Sequence, residues 1–464
     1  MTENFQTPNM DAAGARAVVH GALCYCWHEG AFLSIEKAEY ALERLWHLVA
    51  GLADWDGDPV LFIPSVDEKT VNGIFELLPG SLPWIALRDI LPPGSKSIID
   101  SDRLPVLCKV KPTESHFNGE SCFFPMDLVA ATFLLLSRWE ESGRTLPRDA
   151  WGNVDESSLF LNRQKMLKRP VLDEWGLVLQ AWIRACRPRW HPRMPPFRVL
   201  PTHDIDHLFH YPSPTYLPRR LAGSALYHRS LRQGFHTLRE GYRSILDPTT
   251  DPGFRRVYDL ADRDESLNAR GVFFFMSAEN GPLDDGYAIN SPEAKQLLTY
   301  LNERGHVIGW HPGYEASEQK DLFVKEAERM YTAAPQAVCH VRMHYLRWRD
   351  YTTEWIEEVG GKRDYSWGLN EVAGFAHGTA KPFPIWDVLR NRATSIIEIP
   401  FVFQESTLPA ATPFDRPQAM EEIVTMINRV KRVGGVFSFL LHNTAGHRAI
   451  RYEPLINSVY RSLQ

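Results

Sequence analysis

The sequence predicts an α/β protein in which parallel strands and crossover helices close, or nearly close, into a barrel. A helix-rich α+β region precedes it. Two observations carry this reading. Beyond about residue 195, continuous apolar runs of β-forming residues alternate with stretches of helical periodicity, the pattern of a parallel sheet covered on its faces. Before residue 190 the pattern is mostly helical, and the two regimes meet at "RPRWHPRMPPF", which has four prolines in eleven residues and forms a stiff, non-helical connector. The expected domains are therefore 1–190 and 191–464.

Taken in order, Thr2–Pro8 reads as a loose end. "IEKAEYALERLWHLVAGL" (Ile35–Leu52) repeats apolar residues at three- and four-residue steps and predicts an amphipathic helix. "DPVLFIPS" predicts a strand. "PMDLVAATFLLLSRWEES" (Pro125–Ser142) starts with Pro and Asp and predicts a largely buried helix, and "RPVLDEWGLVLQAWIRAC" (Arg169–Cys186) predicts another. Past the connector the predicted strands are "FRVL", "GVFFFMS", "GHVIGW", "AVCHVRM", "SIIEIPFVF" and "GGVFSFLL", with a weaker one around Lys362–Ser366. The helices between them are "PGFRRVYDLADRDESLNAR", "SPEAKQLLTYLNERG", "KDLFVKEAERMYTAA" and "PQAMEEIVTMINRVKRVGG".

Composition bounds the function. The 464 residues are 44% apolar and 12% aromatic, enough for packed cores in two or three domains. Net charge is −6 with both signs spread along the chain and no Lys/Arg run, which argues against a nucleic-acid or anionic-membrane surface. The six cysteines lack CxxC spacing and are few for a disulfide scaffold. No basic, then apolar leader opens the sequence and no run of about 18 apolar residues occurs, so the expectation is a cytoplasmic protein without a membrane span.

In parallel α/β folds, catalytic groups gather where strands end. "FRVL" runs into Pro201-Thr-His-Asp-Ile-Asp-His207, which sets four ionisable side chains in five positions. "HVIGW" is followed by His311-Pro-Gly-Tyr-Glu315, and "AVCHV" by Arg342-Met-His344-Tyr345. Asp364-Tyr-Ser-Trp367 follows the weak strand, and Leu441-His442-Asn443 ends the last. Singly each is an ordinary turn; together they form a candidate site on one rim.

This ordered set resembles the five motifs of the polysaccharide deacetylase family (NodB homology domain, carbohydrate esterase family 4). It is most similar to the branch found with O-antigen and capsule biosynthesis, in which an extra N-terminal domain precedes the deacetylase domain. The resemblance spans 195–464 through the motifs. It extends more loosely over 1–190 through "FLLLSRWEE" and "RPVLDEWG". It implies a distorted (β/α) barrel of about seven strands, a divalent metal that is usually zinc in the family, and hydrolysis of an N- or O-acetyl group on a sugar or glycan intermediate.

Motif by motif, the resemblance assigns Asp204 as general base and Asp206 as metal ligand, one residue further apart than in the family's adjacent pair. His311 is the next ligand. Glu315 stands where the family has a second His, giving one imidazole and two carboxylates, a harder set in which zinc binds less firmly. His207 is the alternative third ligand, or the third ligand is absent. His306 is excluded, since five residues of extended strand span roughly 16 Å. Arg342 would orient Asp204, and the amide of Tyr345 would hold the oxyanion, with His344 replacing the family's Pro. Asp364 would fix the active-site histidine, His442, which would act as general acid. Trp367, Trp310 and Phe375 would wall the sugar, the last within Ala373–Asp387, an aromatic- and Gly-rich stretch that otherwise reads as a core-packing loop. Two alternatives stand beside the deacetylase: a decayed relative that binds glycan or scaffolds partners, and a metal-dependent amidase of another small C–N substrate.

Overall fold

The computed structural model describes residues 16–50, 60–62, 64–91, 98–108, 124, 126–141, 144–218, 221–222, 231–279, 281, 283–284, 286–407, 416–445 and 447–464. Thr2–Pro8 lies outside them.

The N-terminal part builds a small sheet from β1 (Arg16–His20), β2 (Leu23–Trp27) and β3 (Val60–Phe62), and a two-stranded ribbon from β4 (Trp84–Ala86) and β5 (Arg103–Pro105). Around them pack helices Ile35–Ala50, Leu128–Leu136 and Val171–Cys186, inside the predicted spans. Every residue of Leu128–Leu136 is buried, as a helix apolar on all sides must be. Asp127 starts it by accepting the Ala130 N–H at 2.9 Å, which satisfies one of the donors that a helix leaves unpaired.

The C-terminal part is organised by one nine-stranded sheet, ordered β11-β12-β10-β9-β8-β7-β6-β14-β13. Its strands are β6 (Arg198–Ile205), β7 (Val272–Met276), β8 (Val307–His311), β9 (His340–Val341), β10 (Arg363–Asp364), β11 (Phe383–Asp387), β12 (Arg392–Glu398), β13 (Phe403–Gln404) and β14 (Val436–His442). Every neighbouring pair is parallel except β11–β12. Helices Pro252–Ser266, Pro292–Glu303, Lys320–Ala333 and Arg416–Val433 occupy the predicted connections. Two of them open with an acceptor cap followed by Pro, Asp251-Pro252 and Ser291-Pro292, where fixed φ and a missing N–H do no harm.

The structure departs from the reading in several places. "SIIEIPFVF" is two strands: Ile399 N donates to Asp364 O on the β10 side at 2.9 Å, and Val402 N donates to Ser438 O on the β14 side at 2.8 Å. The intervening Pro400 supplies no ladder donor, so the run changes partners there. Part of Ala373–Asp387 is β11 rather than a loop. Helices Leu231–Leu246 and His447–Leu463 were not foreseen.

The two parts share one apolar core that runs from Val18 to Tyr460. Buried carboxylates fasten them. Asp173 accepts from Thr379 Oγ1 at 2.9 Å and from Ala380 N at 2.7 Å, and Tyr40 donates its hydroxyl to Pro384 O at 2.7 Å. Glu156 takes the backbone N–H groups of Asn370, Glu371 and Val372, the last two at 3.1 Å. Asp173→Ala strands two buried donors and should lower unfolding free energy by about 2–4 kcal/mol, while Asp173→Asn keeps one acceptor and loses about half as much. Urea midpoints at unchanged slope measure both.

Candidate metal centre

The residues after the parallel strands meet at one edge of the sheet. Strand geometry selects them: side chains two apart share a face, so Thr202, Asp204 and Asp206 look the same way. His203 looks the other way and is bonded to Asp264 of helix Pro252–Ser266 through Nε2 at 2.9 Å, so the first histidine of the motif is structural. The single residue between the aspartates is thus what aims both carboxylates together.

Arg342, fully buried just past β9, is the centre of the arrangement. Its guanidinium donates to Asp204 Oδ1 at 2.9 Å, Thr202 Oγ1 at 2.9 Å and Tyr365 O at 3.1 Å. The rings of Phe274, Phe401 and Tyr365 surround its charge at 4.5, 5.3 and 5.5 Å. Phe274 can lie there because its register partner on β8 is Gly309, where a Cβ would come within 2.4 Å of the Phe274 ring.

Beside this pair lies a group of donor atoms from Asp206, His311 and His344, all within 4.8 Å of one another. His311 Nε2 is 3.5 Å from Asp206 Oδ1 and 3.7 Å from Asp204 Oδ2. Both imidazoles are oriented from behind. His311 Nδ1–H donates to Arg342 O at 2.5 Å, and His344 Nδ1 bonds Asp284 Oδ1 at 2.6 Å, which leaves each Nε2 to face the group. Asp284 also accepts the Tyr314 N–H at 3.0 Å, so the supporting carboxylate is itself fixed.

Electrostatics at the spot favour positive charge. Burial alone would raise the Asp206 carboxyl, but the His311 contact and the charges of His442, His344 and His311 outweigh it and hold it far below the carboxylate range. Burial likewise opposes charge on His311, yet Asp204 and Asp206 raise it. Asp206 Oδ1 is buried without a hydrogen-bond partner, an expensive state for a carboxylate oxygen unless a cation meets it. A divalent ion suits this set of two imidazoles and one carboxylate.

Glu315, the expected ligand, is exposed on the short turn Glu315–Ser317 and stays out of the group; His344 takes the third place. His207, the substitute, is exposed as well, and its carbonyl accepts Asn443 Nδ2 at 2.6 Å.

Across the group stands His442, with Nε2 3.9 Å from Asp206 Oδ2. Its Nδ1 bonds Glu405 at 2.9 Å, and Glu405 also accepts the His442 N–H at 3.0 Å. Burial disfavours the charged ring, but Glu405, Asp206 and Asp204 together lift it to about 10. Glu405 therefore holds the place expected of Asp364, whose carboxylate is instead buried against Ser366, bonding its Oγ at 2.5 Å. The sign available in the sequence was a carboxylate two residues past the apolar run that ends at Phe403.

The expected aromatic walls lie elsewhere. Trp310 points into the core, donating to Ser277 Oγ at 2.9 Å and packing on Phe323, because it alternates with His311 on β8. Phe375 is buried, with its N–H on Leu167 O at 2.7 Å. Trp367 packs edge-on against Trp348, with the Arg138 guanidinium 5.1 Å from its ring.

Tyr345 does reach the rim. It and Leu346 both have left-handed backbones, at φ 56° and 54°. Asn153 and Asn370 donate to the Tyr345 carbonyl at 2.9 and 3.1 Å, and Trp151 stacks on its ring with centroids 4.4 Å apart. Trp151 and Asn153 belong to the N-terminal part, so the site is built from both.

The family described as "Family of unknown function (DUF7033)" matches residues 61–188. No curated protein matches the sequence. Solved structures that resemble the chain include a protein of Mycobacterium smegmatis, provisionally assigned as a polysaccharide deacetylase. It is 15% identical over 58% of this chain and 86% of that one, with a TM-score of 0.36. One from Pseudomonas aeruginosa PAO1, with a similar assignment, is 13% identical over 58% and 84%, with a TM-score of 0.35. A third, from Bordetella bronchiseptica, is provisionally assigned as a polysaccharide deacetylase involved in O-antigen biosynthesis. It is 13% identical over 57% and 84%, with a TM-score of 0.26. Overlaps this partial transfer no chemistry, which has to come from the site's own atoms.

Titration calorimetry with Zn²⁺ should show one site that His344→Ala, His311→Ala and Asp206→Asn each abolish and Glu315→Ala leaves intact. Loss of binding in Glu315→Ala with retention in His344→Ala would reverse the ligand assignment.

Proposed function

We propose that the chain is a metal-dependent hydrolase that removes an acetyl group from an N- or O-acetylated sugar, an intermediate of a surface polysaccharide. The observation that carries this reading is the meeting of Asp206, His311 and His344 at one point, flanked by Asp204 on its arginine and His442 on its glutamate. The sugar enters through the motif resemblance of the sequence. The partner change in the run 392–404, from β10 to β14, supports a barrel closed by one broken strand.

A divalent cation held by Asp206, His311 and His344 would act as a Lewis acid on the acetyl carbonyl and make a nearby water more acidic. Zinc fits the two-imidazole, one-carboxylate set better than the single-imidazole set first expected. The chain's own residues do the rest. Asp204, fixed by Arg342, points its free oxygen toward the group and takes the proton of the attacking water. The Tyr345 amide, on its left-handed turn, shares the charge that develops on the carbonyl oxygen. His442, kept protonated by Glu405, gives its Nε2 proton to the departing sugar nitrogen or oxygen.

The non-catalytic alternative drew its force from Glu315 in place of a histidine and His344 in place of a proline, and His344 weakens it by completing the set. The experiment is release of acetate from acetylated amino sugars and nucleotide sugars with zinc present. Asp204→Asn should lower kcat by about 10²–10⁴-fold while zinc still binds. No acetate from any sugar despite bound zinc would sink the proposal, and turnover of cyclic amides instead would favour the amidase.

A second test uses pH. A general acid must be protonated, so its loss of a proton sets the alkaline limb of the rate profile. Removing the Glu405 charge lowers the His442 pKa, and Glu405→Gln should therefore move that limb to lower pH. A limb that stays in place would remove His442 from the acid role.

A further inference from the structure

Between β6 and helix Pro252–Ser266 the chain makes a long excursion, drawn together at its base by Asp251. This buried carboxylate accepts the N–H groups of His210 at 2.7 Å, Tyr211 at 2.9 Å and Gly253 at 2.8 Å. The excursion carries helix Leu231–Leu246. The face turned toward the protein is small: Thr237, Gly241 and Ser244 are buried, and a Cβ on Gly241 would come within 2.5 Å of Leu217.

The opposite face is large and apolar. Phe235, Leu238, Tyr242 and Leu246 are 69%, 42%, 62% and 68% exposed. Their spacing by three and four residues puts them in one stripe. Alongside run His236, Arg239 and Arg243, all exposed, and neither arginine forms an ion pair among the described residues. Glu240, the helix's one acidic residue, is turned aside and accepts the Tyr211 hydroxyl at 3.1 Å. From Leu208 to Leu246 the sequence holds six arginines and one glutamate, in a chain whose net charge is −6.

We propose that this helix lies on an anionic lipid surface, with the four apolar side chains sunk into the headgroup boundary and the arginines on lipid phosphates. An amphipathic helix with cations beside its apolar stripe is the form that binds membranes without crossing them. A second copy of the chain is the poorer occupant, since a twofold contact through this face brings the same arginines near one another without an acidic partner. The proposal holds whatever reaction the site performs. Its consequence for the site is positional, because the excursion leaves the sheet at the end of β6 that carries Asp204 and Asp206.

The test is flotation of the full chain with vesicles of phosphatidylcholine alone and of phosphatidylcholine mixed with an equal part of phosphatidylglycerol. The chain should float with the mixed vesicles only, and less so as salt rises. Phe235→Glu with Leu246→Glu should abolish binding, and Arg239→Gln with Arg243→Gln should weaken it by roughly 30-fold. Because all four positions are exposed, circular dichroism and zinc binding should match the parent. No flotation, equal flotation with the neutral vesicles, or undiminished binding of either variant would overturn the proposal. So would sedimentation showing a dimer in the parent that Phe235→Glu dissolves, which would name the second copy as occupant.

Discussion

The ion pair between Arg342 and Asp204 is the interaction on which the site depends. A guanidinium buried among Phe274, Tyr365 and Phe401 is tolerable only because its donors meet Asp204, Thr202 and the Tyr365 carbonyl. Once placed, it does two things through one backbone: its side chain fixes the carboxylate proposed as base, and its carbonyl fixes the tautomer and plane of His311. A change at Arg342 would therefore disturb the base and a ligand together. Gly309 and Phe274 belong to the same device, since the missing side chain on β8 makes room for the ring that supports the charge.

Much of this was legible in the sequence because it follows from strand ends. Ionisable residues directly after an apolar run sit on the rim, and the sets that hold Asp204, Asp206, His311 and His442 were found in that way, their roles coming from the motif resemblance. Arg342 was found by the motif resemblance and by its neighbourhood to the next strand end. What failed was pairing across turns. His344 and Glu315 lie on different loops, and only the fold decides that the first turns inward and the second outward. Glu405 was hidden because β12 and β13 read as one strand, with Pro400 the sign that they are not.

Helix Leu231–Leu246 shows another limit of the same kind. Periodicity says which residues share a face of a helix, and here it is clear, but it does not say whether that face looks into a core or out to the solvent. Net charge was misleading for a related reason: a sum over the chain conceals a local excess of arginine that the surrounding acidic residues balance only at a distance.

The stacked pair Trp151 and Tyr345 ties a segment from one half of the chain to a turn from the other, and that turn includes His344, a proposed ligand. The rim of the candidate site is thus partly borrowed from outside the sheet that carries the proposed ligands. Related chains could exchange residues around Trp151 and Asn153 to accept a different acyl donor while every ligand and proton carrier stays as it is. Selectivity and reactivity would then evolve on separate stretches of polypeptide, and an excised C-terminal half would lose its discrimination along with its support.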